Sequence, residues 1–364
     1  ALSAATFIGA PQIAFTGNLT YLITNVGGIV GALIVALFIV PAVYRAGSVT
    51  VYGYLGERYG ATAMAAASGM FLFGRLLASG ARLFMAGIGF ALILYGDTSP
   101  RELCFAVLLL GVIGTVYTTF GGIQAVIWTD SVQILVVCGA ACLSIYLLLD
   151  AIPLPLPEIL AALRDADGVN KLQWLDTRLS VAEPYTVWGG VFAMTIVATS
   201  TYGVDHDLAQ RTLTTKTPGR GGAALVASIV LSVPVVALFL AIGLLLHIYY
   251  ARPELMGDAA PLDVLADTKQ VYPQFLLHHM PAGLRGLAMA GLFAAAMSSF
   301  DSAINAMAST ALADIVLPLR ARRAGRAPED NAPGELRASR RAVLLMGVLL
   351  TCFADRKSTR LNSS

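Results

Sequence analysis

Two hydroxyls stand side by side in an apolar run at Ser298 and Ser299, and the carbonyl of Ala295 lies one turn back on the same helical face. A hard cation draws its ligands from neutral or anionic oxygens of this kind. An Ala/Ser-rich face is equally the ordinary close-packing surface between membrane helices, so the residues alone leave both readings open. Arg75 and Arg82 are seven apart, hence on one face of another apolar run. A guanidinium there must be paired or hydrated. Pairing with Asp301 is one expectation, and attraction of a carboxylate solute is the other. Asp205, His206 and Asp207 follow directly on Ser200-Thr201-Tyr202-Gly203, an interruption in a further run. They could titrate in an aqueous pathway, and Asp205 could touch solute or a water-filled vestibule. His206 and Asp207 are expected to face a cytoplasmic vestibule. Enzymatic chemistry has no comparable support, for there is no phosphate loop, nucleophile–base pair or metal-ligand cluster. The four cysteines, Cys104, Cys138, Cys142 and Cys352, lie in or beside apolar runs as small packing residues.

The elements that must hold these groups are set by composition. Of 364 residues, 57% are hydrophobic and 13% charged, with a net charge of +2. Mean hydropathy is +0.73. Soluble domains carry about 25% charged residues. That balance excludes a soluble enzyme, a nucleic-acid binder and a disordered chain, and predicts a multi-pass α-helical protein of the lipid bilayer. Apolar segments are expected at 1–14, 18–44, 60–96, 101–120, 122–150, 184–210, 220–250, 281–317 and 340–354. The connection 318–341 is rich in arginine (Arg320, Arg322, Arg323, Arg326, Arg337, Arg340, Arg341), a cytoplasmic signature. The connections at 45–59 and 211–220 also lean basic, whereas 151–183 and 251–280 are acidic or mixed. Alternate threading of nine segments puts every basic connection on one side.

An internal repeat follows. Segments three and eight are unusually long, and each is preceded by a short amphipathic stretch, Val51–Tyr59 and Tyr272–Met280. Segments one and six are both expected to be interrupted, one at Gly9-Ala10-Pro11 and the other before Asp205. Interrupted segments in matching positions of two antiparallel halves point to a secondary transporter with inverted repeats. Helix breaks in hydrocarbon survive only where they line a cavity, so these two should meet at the binding site.

The most specific run is Tyr117 to Gln133, YTTFGGIQAVIWTDSVQ. It resembles the signature of the sodium:solute symporter family, whose members import sugars, amino acids, carboxylates and vitamins. Ser3 to Gly9 resembles the family's first core helix, and Val51 to Gly60 (VYGYLGERYG) an interfacial motif. Residues 205–211 (DHDLAQR) match a further motif with His206 in place of the usual glutamine, and Ala294 to Asn305 (AAAMSSFDSAIN) resembles the sodium-site helix. The resemblance covers residues 1–354. It implies an all-α, leucine-transporter type fold of five-plus-five inverted helices, truncated at both ends, holding the later part of core helix one through part of core helix nine. Residues 355–364 (DRKSTRLNSS) are expected to be a non-native tail.

The resemblance further implies Na⁺ as coupling ion, with Leu2, Ala295, Ser298 and Ser299 as sodium ligands. It puts Asp130 on the ion path, against the plainer reading of a helix-end residue in water. Ser3 and Thr6, together with Asp205, become candidate substrate contacts. The expected activity is Na⁺-coupled symport of a small organic solute by alternating access in the inner or plasma membrane, by a monomer or weak oligomer. Two alternatives stay open, a solute-sensing membrane domain of a signalling protein and a proton-coupled symporter of the same fold.

Overall fold

Backbone groups in hydrocarbon have no water to bond, so each spanning segment must satisfy its own amides by coiling into helix. The computed structural model describes residues 4–96, 99–165, 168–180, 183–257, 268–324 and 334–361, and these are predominantly helical. Helix α1 covers Ala4–Thr16 and α2 covers Leu19–Ala46. The amphipathic α3, Val51–Tyr59, precedes the 35-residue α4, Ala61–Tyr95. Helices α5 (Pro100–Gly122) and α6 (Val126–Ala151) follow, then α7, Leu156–Arg164. Next come α8 (Gly189–Val204), α9 (His206–Leu213) and α10 (Pro218–Ala251). Helix α11, Val271–His278, precedes α12, Ala282–Thr310, which continues through a π turn at Ala311–Val316 into a further helix, Leu317–Ala324. Helix α13 is Gly334–Leu361, so the last segment runs past Ala354, where the sequence had placed its end.

Local chemistry sets the breaks. Gly122 adopts φ 58°, ψ −165°, a conformation a side chain would resist, and separates α5 from α6. The Thr50 hydroxyl accepts from the Gly53 amide and starts α3. In α2 a π turn at Val35–Ile39 stands just before Pro41, which has no amide to return to the carbonyl one turn back. The break before Asp205 is as expected: α8 stops at Val204, and Asp205 is extended (ψ 109°). The break expected at Gly9-Ala10-Pro11 is absent. Helix α1 runs straight through Pro11. One lost hydrogen bond is tolerated there, and the Pro11 carbonyl seats on α10 so closely that a Cβ on Gly243 would lie 2.2 Å from it.

The helices form two groups. In one, α1 packs on α10 and α2 on α8 and α10; in the other, α12 packs on α4, α5, α6 and α13. Small residues bring backbones together within each. A Cβ on Gly27 would lie 2.4 Å from the Gly190 carbonyl oxygen, and one on Gly31 would lie 2.7 Å from the Ala198 Cβ, so α2 and α8 touch along a glycine stripe. Helices α5 and α13 interlock reciprocally, with Thr351 over Gly111 and Thr115 over Gly347. The groups meet where the Phe7 ring contacts Phe239 (5.1 Å between centroids) and Tyr272 (5.2 Å). The Tyr272 hydroxyl closes that junction on Ser144 at 2.8 Å. Near the far end of α12, Asp314 accepts hydroxyl hydrogen bonds from Thr50 and Ser68, both 2.7 Å, tying the π turn to α3 and α4.

Candidate ion and solute site

A cavity of about 440 Å³ lies between the two helix groups. Thr6 at the start of α1 and Ser299 and Ser302 of α12 line it, with Arg82 of α4 and with Asp205 and Arg211 from the break region. The sequence had brought Thr6, Asp205 and the serine pair to one site; of these, Thr6, Asp205 and Ser299 line the cavity, and Ser298 is not among its lining residues. Leu2 and Ser3 lie outside the described residues.

Ala295, Ser298 and Ser299 are buried, with 1%, 4% and 7% of their surface exposed. The Ser302 hydroxyl donates to the Ser298 carbonyl at 2.7 Å. What remains on this face is a set of hydroxyl and carbonyl oxygens with Ser299 open to the cavity. Among the described residues no cluster of three or more His, Cys, Asp or Glu could hold a metal ion. Hydroxyl and carbonyl oxygens are donors that suit a hard cation such as Na⁺.

The charged groups sort differently from expectation. Arg75 does not pair with Asp301. Its Nη1 lies 2.9 Å from Asp205 Oδ2, and its Nη2 contacts Asp207. Asp205 also caps α9, its Oδ1 accepting from the Asp207 amide at 3.0 Å. Both oxygens of the expected substrate contact are thus engaged, although Asp205 still lines the cavity. Asp301 is fully buried, and neither carboxylate oxygen has a hydrogen-bond partner among the described residues. The reason is helical phase. Met297, one turn before Asp301, packs on Gly114 of α5, so this face of α12 turns toward α5. Arg82 makes no ion pair among the described residues. Of the two arginines it is the one whose charge is free to meet a ligand in the cavity.

Two further expectations are corrected. His206 does not face a vestibule. It is 1% exposed, with its Nε2 3.2 Å from the Ser309 hydroxyl and its ring near Tyr52 and Phe71. Asp207 is largely buried and held by Arg75, yet it does line the cavity. Asp130 is not a helix-end residue in water, because it sits within α6 and its carboxylate is paired with Arg211 of α9. Arg211 had been read as part of a basic connection and as the last residue of the 205–211 motif; its pairing comes from a partner 81 residues away. Thr201, Ser228 and Ser232 also line the cavity. The last two are four apart in a strongly apolar run, a spacing that would have marked one polar stripe.

The comparisons with known proteins agree with this geometry. The family model described as "Sodium:solute symporter family" matches residues 1–360. The sodium/sialic acid symporter NanT of Aliivibrio fischeri is 28% identical over 318 residues, covering 86% of this chain and 60% of that protein. The human sodium/iodide cotransporter is 26% identical over 322 residues, covering 87% of this chain and 48% of that protein. The chain thus spans roughly half the length of the curated relatives it matches. A solved structure of a Na⁺-coupled sialic acid symporter, in a substrate-bound outward-open state, superposes with a TM-score of 0.82 at 24% identity, over 97% of this chain and 71% of that one. The fold is the leucine-transporter type built on inverted repeats, in a multi-pass membrane protein. By its sequence match over residues 1–360, the chain belongs to the sodium:solute symporter family.

Proposed function

We propose that this chain is the core of a Na⁺-coupled importer of a small organic anion, working by alternating access. The observation that carries it is one residue in two places: Ser299 belongs to the buried oxygen set of α12 and also lines the cavity that Arg82 faces. An ion held by Ala295, Ser298 and Ser299, with Leu2 from the start of the chain, would stabilise the wall against which a solute rests. Sodium then acts by differential affinity, favouring the outward-open, solute-receptive state, and its gradient drives uptake. Thr6, with Ser3 three residues before it in the sequence, would orient the solute, and Asp205 would shape the cavity wall. Arg82 supplies the charge that selects a carboxylate. The two relatives described above are named for sialic acid and iodide, both anions.

Asp130 keeps its place on the ion path, now with Arg211 as the cation that must release it before an ion passes. The proton-coupled alternative relied on Asp205, His206 and Asp207. Both carboxylates are engaged by Arg75 and the imidazole is buried against Ser309, which speaks for sodium. In this reading residues 1–354 form the transporter core, and α13 carries on from it through Leu361.

The test is uptake by the full-length protein carrying this sequence in proteoliposomes. Labelled sugars, amino acids and short carboxylates are compared under an inward Na⁺ gradient, an inward H⁺ gradient, or neither. Sodium-dependent carboxylate uptake, lost in Ser298→Ala plus Ser299→Ala, is the expected result. Proton-driven uptake indifferent to the two serines would overturn it, and solute binding without uptake would make the protein a sensor.

A further inference from the structure

A second cavity, about 420 Å³, lies far from the transport site, where the chain leaves α12 and returns in α13. Its floor is apolar: Leu312 and Val316 come from the π turn, Leu345 and Met346 from α13. Its rim is cationic. Arg337 and Arg341 are four apart on one face of α13, and Arg320 stands opposite on the helix Leu317–Ala324. All three are exposed, and none makes an ion pair among the described residues. None of the residues lining the cavity is acidic.

The neighbouring surface places this cavity at a boundary. Directly after the arginines, α13 exposes Leu344, Leu345, Val348 and Leu349, an apolar face suited to hydrocarbon. The basic excess of the 318–341 connection sets the side as cytoplasmic. Arginines kept only to orient the chain need no cavity. Here they rim one whose floor includes Leu345, which is also part of the exposed apolar face of α13.

We propose that this cavity binds an anionic phospholipid of the cytoplasmic leaflet. Its phosphate would rest among Arg320, Arg337 and Arg341, and its acyl chain would run along Leu345 and Val348. Arginine presents planar paired donors that match a phosphate diester. Such basic pockets between spanning helices are a general means of holding anionic headgroups. The bound lipid would bridge α12 to α13 at the π turn that Asp314 ties to Thr50 and Ser68.

The experiment is native mass spectrometry of the full-length protein carrying this sequence, titrated with phosphatidylglycerol or phosphatidylethanolamine. Wild type is expected to retain one phosphatidylglycerol tightly and no phosphatidylethanolamine. Each arginine-to-glutamine change is expected to weaken retention about fivefold, and Arg320→Gln/Arg337→Gln/Arg341→Gln to abolish it. A charge-matched control, Arg45→Gln/Arg58→Gln/Arg220→Gln, removes three basic residues from the same side and should retain the lipid. If the triple variant does not fold, the single Arg341→Gln and the triple lysine variant decide: the first must weaken binding and the second must preserve most of it. Equal retention by the glutamine variants overturns the proposal. So does equal retention of phosphatidylethanolamine. Displacement of the lipid by millimolar glycerol phosphate also overturns it, because the site would then serve a soluble phosphate.

Discussion

Arg75 of α4 reaches across the cavity wall to Asp205, 2.9 Å from Nη1 to Oδ2, and its second terminal nitrogen takes Asp207. One guanidinium on a scaffold helix thereby holds the broken segment at its break, and Asp205 is at the same time the cap of α9. Removing Arg75 leaves the buried Asp207 and the half-buried Asp205 without their cation, and breaking a buried pair on one side costs about 3–5 kcal/mol. Arg75→Gln is therefore expected to lower the melting midpoint steeply in a detergent thermal-shift assay. The triple variant Arg75→Gln/Asp205→Asn/Asp207→Asn should recover most of the loss. A triple variant as unstable as the single one would count against this assignment.

Arg82, seven residues away on the same face, is expected to behave in the opposite way. Arg82→Gln should leave the melting midpoint near that of wild type. It should also weaken carboxylate uptake about 10- to 100-fold, the worth of one charge-assisted hydrogen bond. Competition by neutral solutes should be unchanged. Equal loss for charged and neutral solutes would show that Arg82 shapes the cavity rather than reading the substrate's charge.

The pairing of Asp130 with Arg211 joins α6 to α9 from a sequence distance of 81 residues. Neutralising one member strands the other, whereas neutralising both removes the mismatch. Asp130→Asn/Arg211→Gln is expected to be more stable than either single variant. A double-mutant cycle on thermal stability should give a coupling of about 1 kcal/mol or more. Additive single effects would mean that the contact contributes nothing.

The α2–α8 contact has no room for a side chain at Gly27 or Gly31. Gly31→Val forces overpacking, a change that costs about 1–3 kcal/mol in a well-packed interior. Gly139 of α6 has nothing within 4 Å of an added Cβ. Gly139→Ala is expected to be neutral or to stabilise by about 0.5–1 kcal/mol through helix propensity. Thermal shift of the two variants side by side separates close packing from backbone freedom.

The spanning segments were legible in the residues because hydrocarbon imposes a length and a composition on every helix that crosses it. The short-then-long pairs, α3 with α4 and α11 with α12, were legible for the same reason. The stop before Asp205 showed as a polar cluster that a continuous apolar helix could not carry. Gly9-Ala10-Pro11 misled because proline removes a single hydrogen bond, and packing of the Pro11 carbonyl on Gly243 keeps the helix intact. The spacing of Ala295, Ser298 and Ser299 put their oxygens within little more than one helical turn, and the resemblance to the family, rather than the spacing, marked them as ion ligands.

The partners of the charges were not local in that sense. Asp205 lies 130 residues from Arg75, and Arg211 lies 81 from Asp130. A guanidinium in an apolar run must be paired or hydrated, and that much the residues alone determined for Arg75 and Arg82. Which carboxylates would pair with Arg75 depended on the phase of α4 and α12 about their own axes. Only the tertiary packing sets that phase, and it turned Asp301 toward α5, gave Asp205 and Asp207 to Arg75, and left Arg82 facing the cavity.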